Sequence, residues 1–243
     1  MRLRRYSRFR VRGSLPGRSV RRWIVVALGI AVLGVAFAGA AEPYRQTREF
    51  RAVVACERQA AGCFDEEPSS IVGRRTYTTT STTSNADGTT STTTTTHHEI
   101  TWQRADGSRH ERDVSSSFYD RTREGQPADL RLWQGKVVGV EVEGVAEWFL
   151  PESGTSLGRW LHLAFLGLGV LLWGLLFGWW DGFFMLVFRT FAWMFMSFAP
   201  VNVTTHALAY GFEFDSGLVV TIAFGIAFTG IAGAMLVGSL NRW

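Results

Sequence analysis

The averages of this 243-residue chain, 47% hydrophobic with a formal charge of +4, conceal a split into four apolar runs and polar segments between them. The runs take up about a third of the chain, so only the stretch between the first and second is long enough to fold as a separate domain. The net charge also hides a first segment, Met1 to Arg22, with nine arginines and no acid, followed by a slightly acidic segment from Glu42 to Arg159. Nine arginines beside an apolar run set topology or touch anionic lipid, and nucleic acid is excluded as the expected partner.

Taken in order, residues 1–22 form a basic tail and residues 23–41 a first transmembrane span, with Trp23 an interfacial anchor in front of the apolar run Ile24 to Ala41. Ala38, Gly39 and Ala40 follow the small-residue pattern of a signal-peptidase site, so the run reads either as an uncleaved anchor or as a cleaved signal. Either reading puts the next segment outside, because basic flanks stay in the cytoplasm. Residues 42–70 then form a stalk and disulfide segment. Tyr44, Phe50, Val53 and Val54 among charged residues fit a helix continuing the span, and Cys56 and Cys63, the only cysteines, are expected to pair on the oxidising side.

In residues 71–151 the period changes to two. Ile100 and Trp102, then Leu130 and Leu132, then Val138, Val140 and Val142 alternate with polar or small neighbours, as half-buried strands do. Asp106-Gly107, Gln134-Gly135 and Glu143-Gly144 mark turns, the first being the strongest hairpin signal. Five or six short strands predict a small antiparallel barrel or sandwich. Residues 115–124 form a loop or one helical turn. Within this domain, residues 76–96 carry two threonine arms around Asn85, Ala86, Asp87 and Gly88. The pattern fits a hairpin extending beyond the core, a disordered tract or a glycosylated stalk. His97 and His98 are adjacent, so in a strand they point to opposite faces and cannot easily share a metal ion with His110. No metal is expected.

The chain re-enters the membrane over residues 159–180 and 183–203, crosses an outer loop at 204–217, and returns over 218–238 to a cytoplasmic end at 239–243. Each apolar half of the pair is about twenty residues, enough to cross a hydrocarbon layer of about 30 Å. Trp160, Trp179 and Trp180 fall where an aromatic belt is expected. Gly174 with Gly178, and Gly230, Ala234 and Gly238, are spaced for close helix packing. Asp181 and Arg189 form the expected membrane charge pair, read either as a structural, snorkelling pair or as a transport charge. No catalytic or cofactor motif is present, and neither an enzyme nor a cofactor is expected.

The segments GRRTYTTT, HHEITWQRADGS, GQPADLRLWQGKVVGVEV and GWWDGFFMLVFRTFAW, in this order, resemble uncharacterised multi-pass membrane proteins of actinobacteria that carry a small extracytoplasmic β-domain of unknown function. The resemblance implies fold and location only. The expectation is therefore an α-helical polytopic protein of the plasma membrane, with four transmembrane helices, both termini cytoplasmic and an inserted all-β extracytoplasmic domain. Its expected role is a non-enzymatic, envelope-associated binding module whose partners, beyond the lipid bilayer, are an envelope protein or a wall polymer. The alternative is a channel or transporter subunit using the helices around Asp181 and Arg189.

Overall fold

The computed structural model describes residues 20–60, 62–84, 89–176, 183–211 and 216–240. In chain order the elements are α1 (Val20–Gln59), β1 (Asp65–Ser84), β2 (Thr90–Gln103), β3 (Arg109–Asp113), α2 (Ser116–Arg121), β4 (Pro127–Trp133), β5 (Lys136–Val142), β6 (Val145–Trp148), α3 (Glu152–Leu176), α4 (Phe183–Tyr210) and α5 (Ser216–Leu240). They divide into a helical unit, containing α1 to Gly39, α3 from Trp160, α4 to Pro200 and α5 from Ala223, and a sheet unit of Ala40–Arg159 with Val201–Ile222.

Four helices are long and apolar enough to cross a membrane: Arg22–Gln59, Glu152–Leu176, Met185–Tyr210 and Ile222–Ser239. In the helical unit α1 and α3 meet through glycines. A Cβ on Gly29 would stand 2.7 Å from the Leu171 backbone nitrogen, so only glycine permits that approach. Arg22 closes the end of α3, donating from Nε to the Gly174 carbonyl at 3.0 Å and from Nη2 to the Leu175 carbonyl, two of the acceptors a helix terminus leaves unmatched. Gly174 takes part in this packing, with Val26 beside it, whereas Gly230 and Gly238 face open space. On α5 it is Gly225, against Ala199, that makes the close contact.

The sheet unit holds six antiparallel strands in the order β3-β2-β1-β4-β5-β6. The predicted barrel is not closed. The outermost strands are short, five residues in β3 and four in β6, and β3 is exposed along its whole length. Alternation and hairpins specify which neighbours pair, but nothing in them requires the two edges to meet. The space between the edges is filled by side chains instead: Phe118 of α2 and Phe149 join Ile71, Ile100, Trp102, Leu130, Val140 and Val142 in one core. Ser115 caps α2, its hydroxyl accepting from the Phe118 amide at 3.3 Å.

β1 starts at Asp65, upstream of the predicted edge at residue 71, and changes partners on the way. Asp65 to Ser70 pair with β4, and from Ser70 onward the strand pairs with β2. Pro68 masks this strand in the sequence, but it sits where β1 has a partner on one side only, the position at which a missing amide is tolerated. The turns differ from their predicted ranking. Gln134-Gly135 and Glu143-Gly144 have positive φ at both residues, as the tight two-residue hairpin needs. Asp106-Gly107 lies in a wider loop closed by Arg104 and Ser108, with only Gly107 at positive φ.

A bulge splits β5 between two cores. Leu132 pairs with Val137 and Arg131 with Gly139, which leaves Val138 as the extra residue. Val140 and Val142 stay in the first core, and Val138 turns to a second one with Phe50 and Val54 of α1, Phe64 and Ala209. Simple alternation put all three valines on one face. Phe50 is the centre of the second core, its ring 5.4 Å from Trp133, 5.7 Å from Tyr210 and 6.0 Å from Phe64. Full burial of such a ring contributes about 1.5–3 kcal/mol.

Arg131 ties the same region together. Its guanidinium meets Glu57 at the end of α1, Glu141 of β5 at 2.5 Å and Glu66 of β1 at 3.4 Å. Burial opposes its charge, and the three carboxylates more than restore it.

Candidate functional site

Beyond the core, β1 and β2 continue as a ribbon that no other strand joins. β4 leaves β1 at Ser70 and β3 leaves β2 at Glu99, yet β1 and β2 stay in register from Thr76↔His98 to Ser84↔Thr90. Nine pairs at about 3.4 Å per residue make an arm of roughly 30 Å. Fifteen of its eighteen residues are serine or threonine, which explains both halves of its behaviour. The branched β-carbon favours the extended chain, and cross-strand threonine pairs add about 0.2–1 kcal/mol each. The hydroxyls leave nothing for a core, so Thr78 to Thr82 and Thr90 to Thr96 are exposed.

The arm is fastened at its base on both faces. On one face Arg75 binds Glu99 at 2.6 Å and lies 5.0 Å from the Tyr77 ring, which stacks on His97 at 4.8 Å. His97 also reaches Thr79 Oγ1 at 2.9 Å through Nε2 and Asp113 at 3.3 Å through Nδ1. On the other face the Arg74 guanidinium covers the Tyr119 ring at 4.0 Å and donates to the Tyr119 carbonyl at 2.6 Å, with His98 4.9 Å from the same ring. His97 and His98 therefore serve opposite faces. Among the described residues, no three His, Cys, Asp or Glu side chains converge to hold a metal ion.

The two free edges of the arm, together with hydroxyl ladders on both faces, supply repeated donors and acceptors along one line. Such a surface suits an extended partner rather than a compact one, because each added unit of the partner meets the same chemistry again. The Thr79, His97 and Asp113 chain ties β1, β2 and β3 together at the base of the arm.

The other residues singled out in the sequence lie apart from the arm. Cys56 and Cys63 are at disulfide distance, their Cα atoms 6.0 Å apart, joining the end of α1 to the approach of β1. Trp23 is 55% exposed on α1. The Trp160 ring covers Gly39 so closely that a Cβ there would meet it at 2.5 Å. Arg189 is 3% exposed. It donates to Ser239 of α5, from Nε to Oγ at 3.2 Å and from Nη2 to the carbonyl at 3.1 Å, and lies 5.0 Å from the Trp173 ring of α3. Asp181, Trp179, Trp180 and Gly178 lie outside the described residues.

Sequence reasoning missed Arg131 and its carboxylates, whose partners are spread from residue 57 to residue 141. Only the alternation of β4, which places Arg131 beside the buried Leu130 and Leu132, hinted that it leans over a neighbour instead of into water. Comparison of the chain with protein-family models, with curated proteins and with solved structures finds no match.

Proposed function

We propose that this is a non-enzymatic binding module of the cell envelope, held in the plasma membrane by four helices, in which the threonine arm engages an extended envelope protein or wall polymer. The observation that carries the reading is the arm itself: nine registered pairs, most of them of exposed serine and threonine, that no other strand of the sheet joins. The nine arginines of Met1 to Arg22 support cytoplasmic termini, and the paired Cys56 and Cys63 support an extracytoplasmic sheet unit. The rival reading, a channel or transporter subunit, is less well supported, because Arg189 is engaged by Ser239 and Trp173 as a packing residue would be.

The test joins Thr80 to Thr94, a cross-strand pair, through an Asn-Gly turn, which removes the outer arm and leaves its base. Full-length protein is expected to co-sediment with insoluble wall polymer or to crosslink to an envelope protein through a photoreactive residue at position 78, which both proteins keep. The shortened protein is expected to do neither while keeping its thermal transition. Equal capture by both proteins sinks the reading. Orientation is checked by a membrane-impermeant thiol reagent on intact, reduced cells, which is expected to reach Cys56 and Cys63.

A further inference from the structure

The open edges of this sheet are guarded everywhere but on the arm. All five residues of β3, Arg109 to Asp113, are ionisable and exposed. β6 is four residues long, and the side of β1 that has no partner below Ser70 carries Pro68. Charge, shortness and proline each discourage another chain from adding to an edge. The arm, Thr76 to Ser84 with Thr90 to His98, holds no Asp, Glu, Lys, Arg or Pro, although at nine residues a side its edges are the longest.

Two hydrogen bonds at the base show which groups those edges offer. The Arg74 amide donates to the Glu124 carboxylate at 3.1 Å, and the His98 carbonyl accepts from the Val114 amide at 2.8 Å, so both residues turn their backbone groups away from the ladder between β1 and β2. That direction alternates along an antiparallel strand. Thr76, Thr78, Thr80, Thr82 and Ser84 on β1, and Thr90, Thr92, Thr94 and Thr96 on β2, therefore point N–H and C=O outward, and all of them are exposed. Among the described residues no strand takes them up. A foreign strand is selected through distinct side chains at alternate positions, whereas these positions repeat one hydroxyl. What they match is their own composition. β1 already pairs with β2 through nine such rungs, and an outer edge of one copy offers an outer edge of another the same contact again.

We infer that a second copy of this chain occupies one outer edge of the arm, joining two ribbons into a single intermolecular sheet. The remaining edge of each copy and the hydroxyl faces stay open to the extended partner, and the inference rests on the reading of the arm as a binding surface. The test expresses two differently tagged copies of the full-length chain in one membrane and extracts them in a neutral detergent. Capture of one tag is expected to recover the other, and a photoreactive residue at position 82 is expected to crosslink the two. Thr80→Pro with Thr92→Pro removes an outward N–H from each edge and none from the ladder within the ribbon, and is expected to lower recovery of the second tag about tenfold. Thr80→Lys with Thr92→Lys keeps every amide and sets like charges on both edges, with a loss of about the same size expected. Both variants alter exposed residues outside the core, so their thermal transitions are expected to match that of the unaltered protein. Thr80→Ala with Thr92→Ala leaves the edges uncharged and their amides complete, and is expected to associate as the unaltered protein does. Undiminished recovery from the Lys variant, or no crosslink between tags, overturns the inference. A full-length chain that recovers no second tag yet captures wall polymer or an envelope protein overturns this inference alone and leaves the binding module standing.

Discussion

The lower and upper halves of one hairpin behave as two materials. At the base, Ile71, Ile100 and Trp102 are at most 1% exposed and sit in a shared core; further along the same strands, Thr78 to Thr82 and Thr92 to Thr96 stand in water. Pairing runs through both halves, interrupted once near the base, where Val72 is an extra residue between Ile71 and Gly73. A strand polar on both faces has weakly specified register of its own, because a one-residue slip buries or exposes nothing. The base, in contrast, cannot slip without turning Trp102 out of its core. The arm therefore inherits its alignment from below, and the core chooses the pairing for residues it never touches.

That contrast can be broken by substitution within β2. Ile100→Ala is expected to destabilise the sheet unit by about 3 kcal/mol, measured by chemical denaturation, since the side chain leaves a cavity among fixed neighbours. Next in size is the Cys56–Cys63 link, which closes a short loop just before β1. Cys56→Ser is expected to cost about 2.5 kcal/mol in the same measurement.

A smaller effect concerns pH. The Arg104 guanidinium, donating to Glu67 at 2.5 Å, holds the Glu67 carboxyl below its ordinary value of 4.5. A depressed carboxylate pKa gives stability that is present above 4.5 and lost as pH falls through the folded value, so acid titration of the melting temperature should be flatter below 4.5 in Glu67→Gln than in the unaltered protein. Smallest of all is Thr94→Ala, facing Thr80 in the arm, for which a change within about 0.5 kcal/mol is expected. An arm substitution as costly as Ile100→Ala would erase the contrast.

What the sequence disclosed, and what it withheld, follows from range. Apolar runs of membrane length, the alternation at Ile100 and Trp102, and glycine turns at residues 135 and 144 are local signals, and each appears where it was expected. The helical continuation of α1 through Gln59 also follows from local spacing. The bulge at Val138 does not, because it answers to a core that Phe50 brings from almost ninety residues upstream. Open edges escaped the reading for the same reason, since closure depends on where β3 and β6 stand and not on what either contains. Of the candidate site, composition gave the threonine arms, whereas the fastening of their base, with Arg74 and His98 against Tyr119, needs β1, β2 and α2 together.

The change of partners by β1 at Ser70 has a mechanical reading. One strand laps two neighbours like a spliced timber, gripping β4 below and β2 above. Hydrogen bonds in an antiparallel ladder run across the strands, so a tug on the tip along its own axis would strain the Asp65–Ser70 ladder with β4 broadside, all at once, instead of opening it one rung at a time. An arm mounted in this way can be pulled without unzipping the sheet that carries it.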